Sequence, residues 1–94
     1  MTFSSERADM VGLQAVAWLA GNDEILPVFQ GATGAGEDDF RTGLSDPEFQ
    51  GAVLDFLLMD DAWIMAFCDA QGLAYDVPMQ ARAMLPGGGQ VHWT

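Results

Sequence analysis

An all-α fold, a compact bundle of five to six short helices, is predicted by three features of the sequence. Apolar residues recur at helical spacing, as in Phe49, Val53, Phe56 and Leu57. Helix starts and stops are marked by residues with the right chemistry, Asp46-Pro47 and Gly72 being the clearest. Half of the residues are hydrophobic and no repeat is present, which suits one small core rather than a disordered or solenoid chain. Residues 1–94 therefore read as one helical domain, with 87–94 a Gly-rich C-terminal tail.

The first helix starts at a cap on Ser4 or Ser5 and runs to about Ala20. Its inner stripe is Val11, Ala15, Trp18 and Leu19, and Gly12 in its interior either weakens the helix or marks a close helix contact. Gly21-Asn22 ends it, and Asn22 or Asp23 caps a second helix carrying Ile25, Leu26, Val28 and Phe29. Pro27 falls in the second turn of that helix, where it removes a donor and predicts a short or kinked element. Gly31 to Gly36 reads as a flexible connector. A Gly-rich loop can hold phosphate, but Glu37, Asp38 and Asp39 follow it and no lysine does, so it is not a P-loop. Glu37 to Gly43 forms a short helix anchored by Phe40 and Leu44, with Glu37 and Arg41 paired at i, i+4.

The central buried helix is expected at about 47–59. Asp46 caps it, Pro47 takes the first helical position and Glu48 suits the positive end of the dipole. Between Ala52 and Met59 only Asp55 is polar, so most of its circumference is buried. Asp60-Asp61 forms a hinge where either acid can end one helix and cap the next, after which Trp63, Ile64, Phe67 and Cys68 make a second apolar face ending at Gly72. A last helix, capped by Asp76, runs through Val77, Met79, Ala83, Met84 and Leu85 and stops at Pro86-Gly87-Gly88-Gly89. Trp93 in the tail is expected to dock on the core.

Charge and composition exclude several functions. Fourteen acids against three arginines and no lysine give a net charge of −11. Nucleic acid and anionic membranes are poor partners for such a chain. The longest mainly apolar stretch, Met10 to Ala20, is too short to span a bilayer and follows acids rather than a basic run. One cysteine allows no intrachain disulfide, and a cytoplasmic location is expected.

Candidate chemistry is sparse. Cys68 sits on an apolar helix face with no base nearby in sequence and reads as a small buried hydrophobe. His92, the one histidine, would need the tail to fold back to reach it. Asp60-Asp61 and Glu37-Asp38-Asp39 lack the spacing of a calcium loop, and one Cys with one His cannot form a structural zinc site. The acids cluster at helix starts, where caps and dipoles favour them. No catalytic residue, cofactor or metal is assigned. The excess of large apolar residues (six Met, six Phe, three Trp) is the exception. It fits a crowded core, or a hydrophobic surface for a protein partner or a second copy of the chain. Met59, Trp63 and Met65 are the candidate partner-binding residues, because they flank the hinge and cannot share one inward face.

The segment DPEFQGAVLDFLLMDDAWIMAFCDAQGL, with LPGG before His92-Trp93, resembles a family of short bacterial, chiefly proteobacterial, proteins of unknown function. AVAWLA in the first helix and NDEILPVFQGATG extend the likeness over most of the chain. The resemblance implies an all-helical domain standing as a whole protein and carries no activity. The expected function is a non-enzymatic cytoplasmic interaction or regulatory domain, with homodimerisation allowed. The alternative is an acidic mimic of nucleic acid that inhibits a basic protein and lets go at high salt.

Overall fold

The computed structural model describes residues 4–85, and these fold into six helices: α1 Ser5–Ala20, α2 Leu26–Thr33, α3 Glu37–Gly43, α4 Pro47–Leu58, α5 Asp61–Gln71 and α6 Val77–Met84. No strand occurs among the described residues. The expectations for Trp93, His92 and the tail lie outside them.

The predicted caps explain where three of the six helices begin. Arg7 N–H donates to Ser4 Oγ at 3.1 Å, Glu48 N–H to Asp46 Oδ1 at 3.0 Å and Ala62 N–H to Asp60 Oδ1 at 2.9 Å. Each acceptor satisfies a donor that the first turn of a helix leaves without a partner. Gly72 ends α5 at φ 70°, the left-handed conformation that glycine adopts without steric cost.

Several local expectations are corrected. Asn22 Oδ1 accepts from Glu24 and Ile25 N–H, so its side chain organises a turn rather than a cap, and α2 starts only at Leu26. Pro27 thus lies in the first turn, where no intrahelical donor is needed. Gly31, Ala32 and Thr33 belong to α2, and the connector shrinks to residues around Gly34, which is left-handed at φ 76°. Arg41 pairs with Asp38 at 3.2 Å rather than with Glu37. Asp76 makes no side-chain bond to the α6 backbone; its carboxylate accepts from Gln80 Nε2 at 2.9 Å. The inward face of α6 is Val77, Pro78 and Ala81, with Leu85 beyond, while Met79 and Met84 are exposed.

The core has two parts. Phe29, Phe40, Phe49 and Phe56 form an edge-to-face cluster that ties α2 and α3 to α4, with ring centroids 5.0–6.0 Å apart. Trp63 stacks on Phe56 at 4.7 Å and brings in α5. The other part is aliphatic. Val11, Ala15 and Leu19 of α1 join Val53, Leu54 and Leu57 of α4 and Ala81 of α6 in the same buried cluster. The buried helix starting at Pro47 is central as expected, but α1 shares that position: both pack on α3, α5 and α6 as well as on each other.

Glycines set the closest approaches. Gly12 of α1 receives the Gln50 side chain, whose Cβ lies 2.9 Å from where a Gly12 Cβ would stand. The Phe49 ring lies against Gly43 in the same way. Arg82 lies over Gly51 and reaches one turn along α4 to Asp55, with Nε–Oδ1 2.6 Å and Nη2–Oδ2 2.9 Å. This two-point contact fastens α6 to α4.

Candidate functional site

The α1 helix has two apolar faces, and the fold buries only one. Ala8, Val11, Ala15, Val16 and Leu19 are buried. On the other side, Glu6, Met10, Leu13, Ala17 and Ala20 recur at steps of four and three, which places them in one stripe. All five are exposed, Met10 at 63% and Leu13 at 45%.

Beside this stripe runs a groove. At its N-terminal end Glu6, Asp9, Met10 and Leu13 face Leu44, Ser45, Pro47 and Gln50 around a hollow of about 470 Å³. Leu44 is shared with a second hollow of about 410 Å³, lined by Val16, Ala17 and Ala20 against Glu37, Phe40 and Arg41 of α3. A third, of about 360 Å³, continues past Ala20 to Leu26 and Gln30 of α2. The α3 wall comes from Glu37, Phe40, Arg41 and Leu44, whose spacing of i, i+3, i+4 and i+7 places them on one helix face.

The wall is held in place by Gln50. Its Nε2 donates to the Leu44 carbonyl at 2.8 Å across the α3–α4 turn, and its Oε1 is buried against Gly12 without a hydrogen-bond partner. Gln50 is only 4% exposed. A glycine at position 12 is therefore required for α1 and the α3–α4 turn to form the two sides of one groove.

The rim is acidic. Glu6, Asp9 and Glu37 line the groove and are exposed. The lining cation Arg41 already pairs with Asp38.

The sequence-predicted residues sit elsewhere, and none of the three lines this groove. Met59 caps the end of α4 and is 78% exposed, and Met65 is exposed on α5. Trp63 is divided: one ring face stacks on Phe56 and the residue is half-buried. Leu44 was expected only as an anchor of the short helix, and Met10, Leu13, Ala17 and Ala20 were not singled out as a binding surface by sequence reasoning. Their signal was the stretch Met10–Ala20, in which only Gly12 and Gln14 break the apolar run. A helix apolar on all sides exceeds what one core face needs.

Cys68 is fully buried, and its Sγ donates to the Ala74 carbonyl at 3.5 Å. Burial, then the charges of Asp69 and Asp76, push the thiol above its ordinary value. Among the described residues no group of three or more His, Cys, Asp or Glu side chains is placed to hold a metal ion. No helix among them is long and apolar enough to cross a membrane.

Fold and surface together define a small acidic all-α domain with an open apolar groove on its first helix. The chain belongs to the DUF3572 family, described as proteins of unknown function, whose model matches residues 5–88. No curated protein and no solved structure matches it.

Proposed function

We propose that this chain is a non-enzymatic protein-interaction domain that works through the groove along α1. The observation that carries this is the exposed stripe of Met10, Leu13, Ala17 and Ala20 facing Leu44 and Phe40. A continuous apolar surface rimmed by polar groups is characteristic of binding sites rather than of inert exteriors. The buried Cys68 thiol, held protonated, is a poor nucleophile and supports a role without covalent chemistry. A single cysteine also fits a reducing, cytoplasmic setting.

A photo-activated cross-linking residue placed at Leu13 in the source cell tests this, with the same residue at Met59 as comparison. Cross-linking to a defined protein from position 13 is expected. Cross-linking from position 59 alone would move the binding surface to the α4–α5 hinge with Trp63 and Met65. No adduct at either site would remove the interaction reading.

A second reading has one observation in its favour. Thirteen of the fourteen acids are exposed, so the net charge of −11 is spread over the surface. An acidic mimic of nucleic acid would present charge in this way to a basic protein. Its complex would dissociate steeply with salt and be insensitive to Met10→Gln and Leu13→Gln.

A further inference from the structure

Resting on the groove as a protein-binding site, we infer that its occupant is a single amphipathic helix of a partner protein, with basic residues flanking an apolar seam. Three properties of the groove select that chemistry.

The first is its period. The α1 stripe alternates steps of four and three, a mean of 3.5 residues, which is the period of a seam that meets another helix along its length. From Glu6 to Ala20 it extends for about 21 Å, the length of about 14 helical residues. The far end of the stripe is Ala17 and Ala20, small residues that let a second backbone approach closely. The near end, Met10 and Leu13, offers flexible side chains that adapt to an incoming apolar group. No exposed strand edge exists among the described residues to bind an extended peptide.

The second is charge. Three of the lining side chains are carboxylates, and the one lining guanidinium is already paired with Asp38. A helix with Lys or Arg on either side of its seam would place cations against Glu6, Asp9 and Glu37. Complementarity of this kind steers encounter and rejects partners of the wrong sign. A second copy of this chain would bring the same carboxylates and another net charge of −11 to the contact. An anionic membrane would be repelled for the same reason.

The third is construction. Gln50 fixes the carbonyl of Leu44 and fills the space above Gly12, so the two walls are tied together before any partner arrives. A pre-formed groove binds a helix without first paying for its own ordering.

The test uses the full chain, isotope-labelled for amide NMR, and two synthetic peptides of about 14 residues. Both carry Leu along one seam at 3.5-residue spacing; one has Lys at the flanking positions and the other Glu. The Lys peptide is expected to shift the amides of Met10, Leu13, Ala17 and Leu44. It should bind at least about tenfold tighter than the Glu peptide at low salt, with the difference shrinking as sodium chloride is raised. Met10→Gln/Leu13→Gln should weaken the Lys peptide by about tenfold or more, since two apolar anchors are lost. Equal binding of both peptides in the groove would overturn the basic-partner inference and leave the groove as a protein site. Binding of neither, or Lys-peptide binding that the double variant leaves unchanged, would overturn both. In the free chain, a dimer that the double variant dissociates would give the groove to a second copy. Contacts from Trp93 protons to Met10 or Leu13 would give it to the chain's own tail. Either result overturns the inference.

Discussion

Gly12 and Gln50 show how one side chain decides what its neighbour must be. A methyl group at position 12 would meet Gln50 Oε1 at 2.8 Å and Cβ at 2.9 Å. The Cβ is tied to the α4 backbone and cannot swing away. Overpacking of this kind costs about 1–3 kcal/mol, against about 1 kcal/mol gained from replacing a mid-helix glycine. Gly12→Ala is therefore expected to lose up to about 2 kcal/mol net in urea unfolding. Cys68 gives a second prediction. Its thiol is raised by burial and then by Asp69 and Asp76. The unfolded chain thus releases the proton at lower pH than the folded one. The contribution to stability is whole below the ordinary thiol value of 9.0 and declines as pH rises through and beyond it. Tyr75 shifts the same way through its hydrogen bond to Asp69, so the comparison belongs in a Tyr75→Phe background. There, Cys68→Ala should flatten the loss of stability between about pH 8 and pH 10, and native Cys68 should alkylate far more slowly than the unfolded thiol. A pH profile identical with and without the thiol would contradict its burial.

The helices were the most legible level of the sequence. Asp46, Asp60, Ser4 and Gly72 have the roles their chemistry predicts, because a cap involves only neighbours in the chain. Expectations failed where a side chain had a choice of local partner. Asn22 organises a turn, Asp76 bonds Gln80, and Arg41 takes Asp38. Partners distant in sequence were not legible at all. Arg82 reaches Asp55 across 27 positions, and no spacing rule links them. Two variants test the elements. Phe56, which touches Phe29 and Trp63, should cost about 3–5 kcal/mol when cut to Ala. A domain of this size is worth about 5–14 kcal/mol, so the melt should drop sharply. Asp55→Ala should cost about 1–2 kcal/mol, because Asp55 is half in solvent while the Arg82 side chain it pairs with is only 14% exposed.

The six helices share their core between α1 and α4, and that sharing leaves α1 with an apolar face outside it. Sequence periodicity found the inner stripe through Val11, Ala15 and Leu19 but did not separate it from the outer one. Both faces are apolar, and only the packing of α4 and α6 on Val11, Ala15 and Leu19 shows which is covered. Leu44 was expected as an anchor and instead stands at the groove, 36% exposed. The measurement that bears most directly on the groove is the thermal melt of Met10→Gln/Leu13→Gln, run beside Leu19→Ala. Gln keeps the helix propensity and removes the apolar surface. If the outer face takes no part in folding, the double variant melts within about 4 °C of the parent, while Leu19→Ala, which loses about 2–5 kcal/mol, falls by more than about 8 °C. A double variant that falls as far as Leu19→Ala would mean that Met10 and Leu13 are core, and that α1 has no free face to offer a partner.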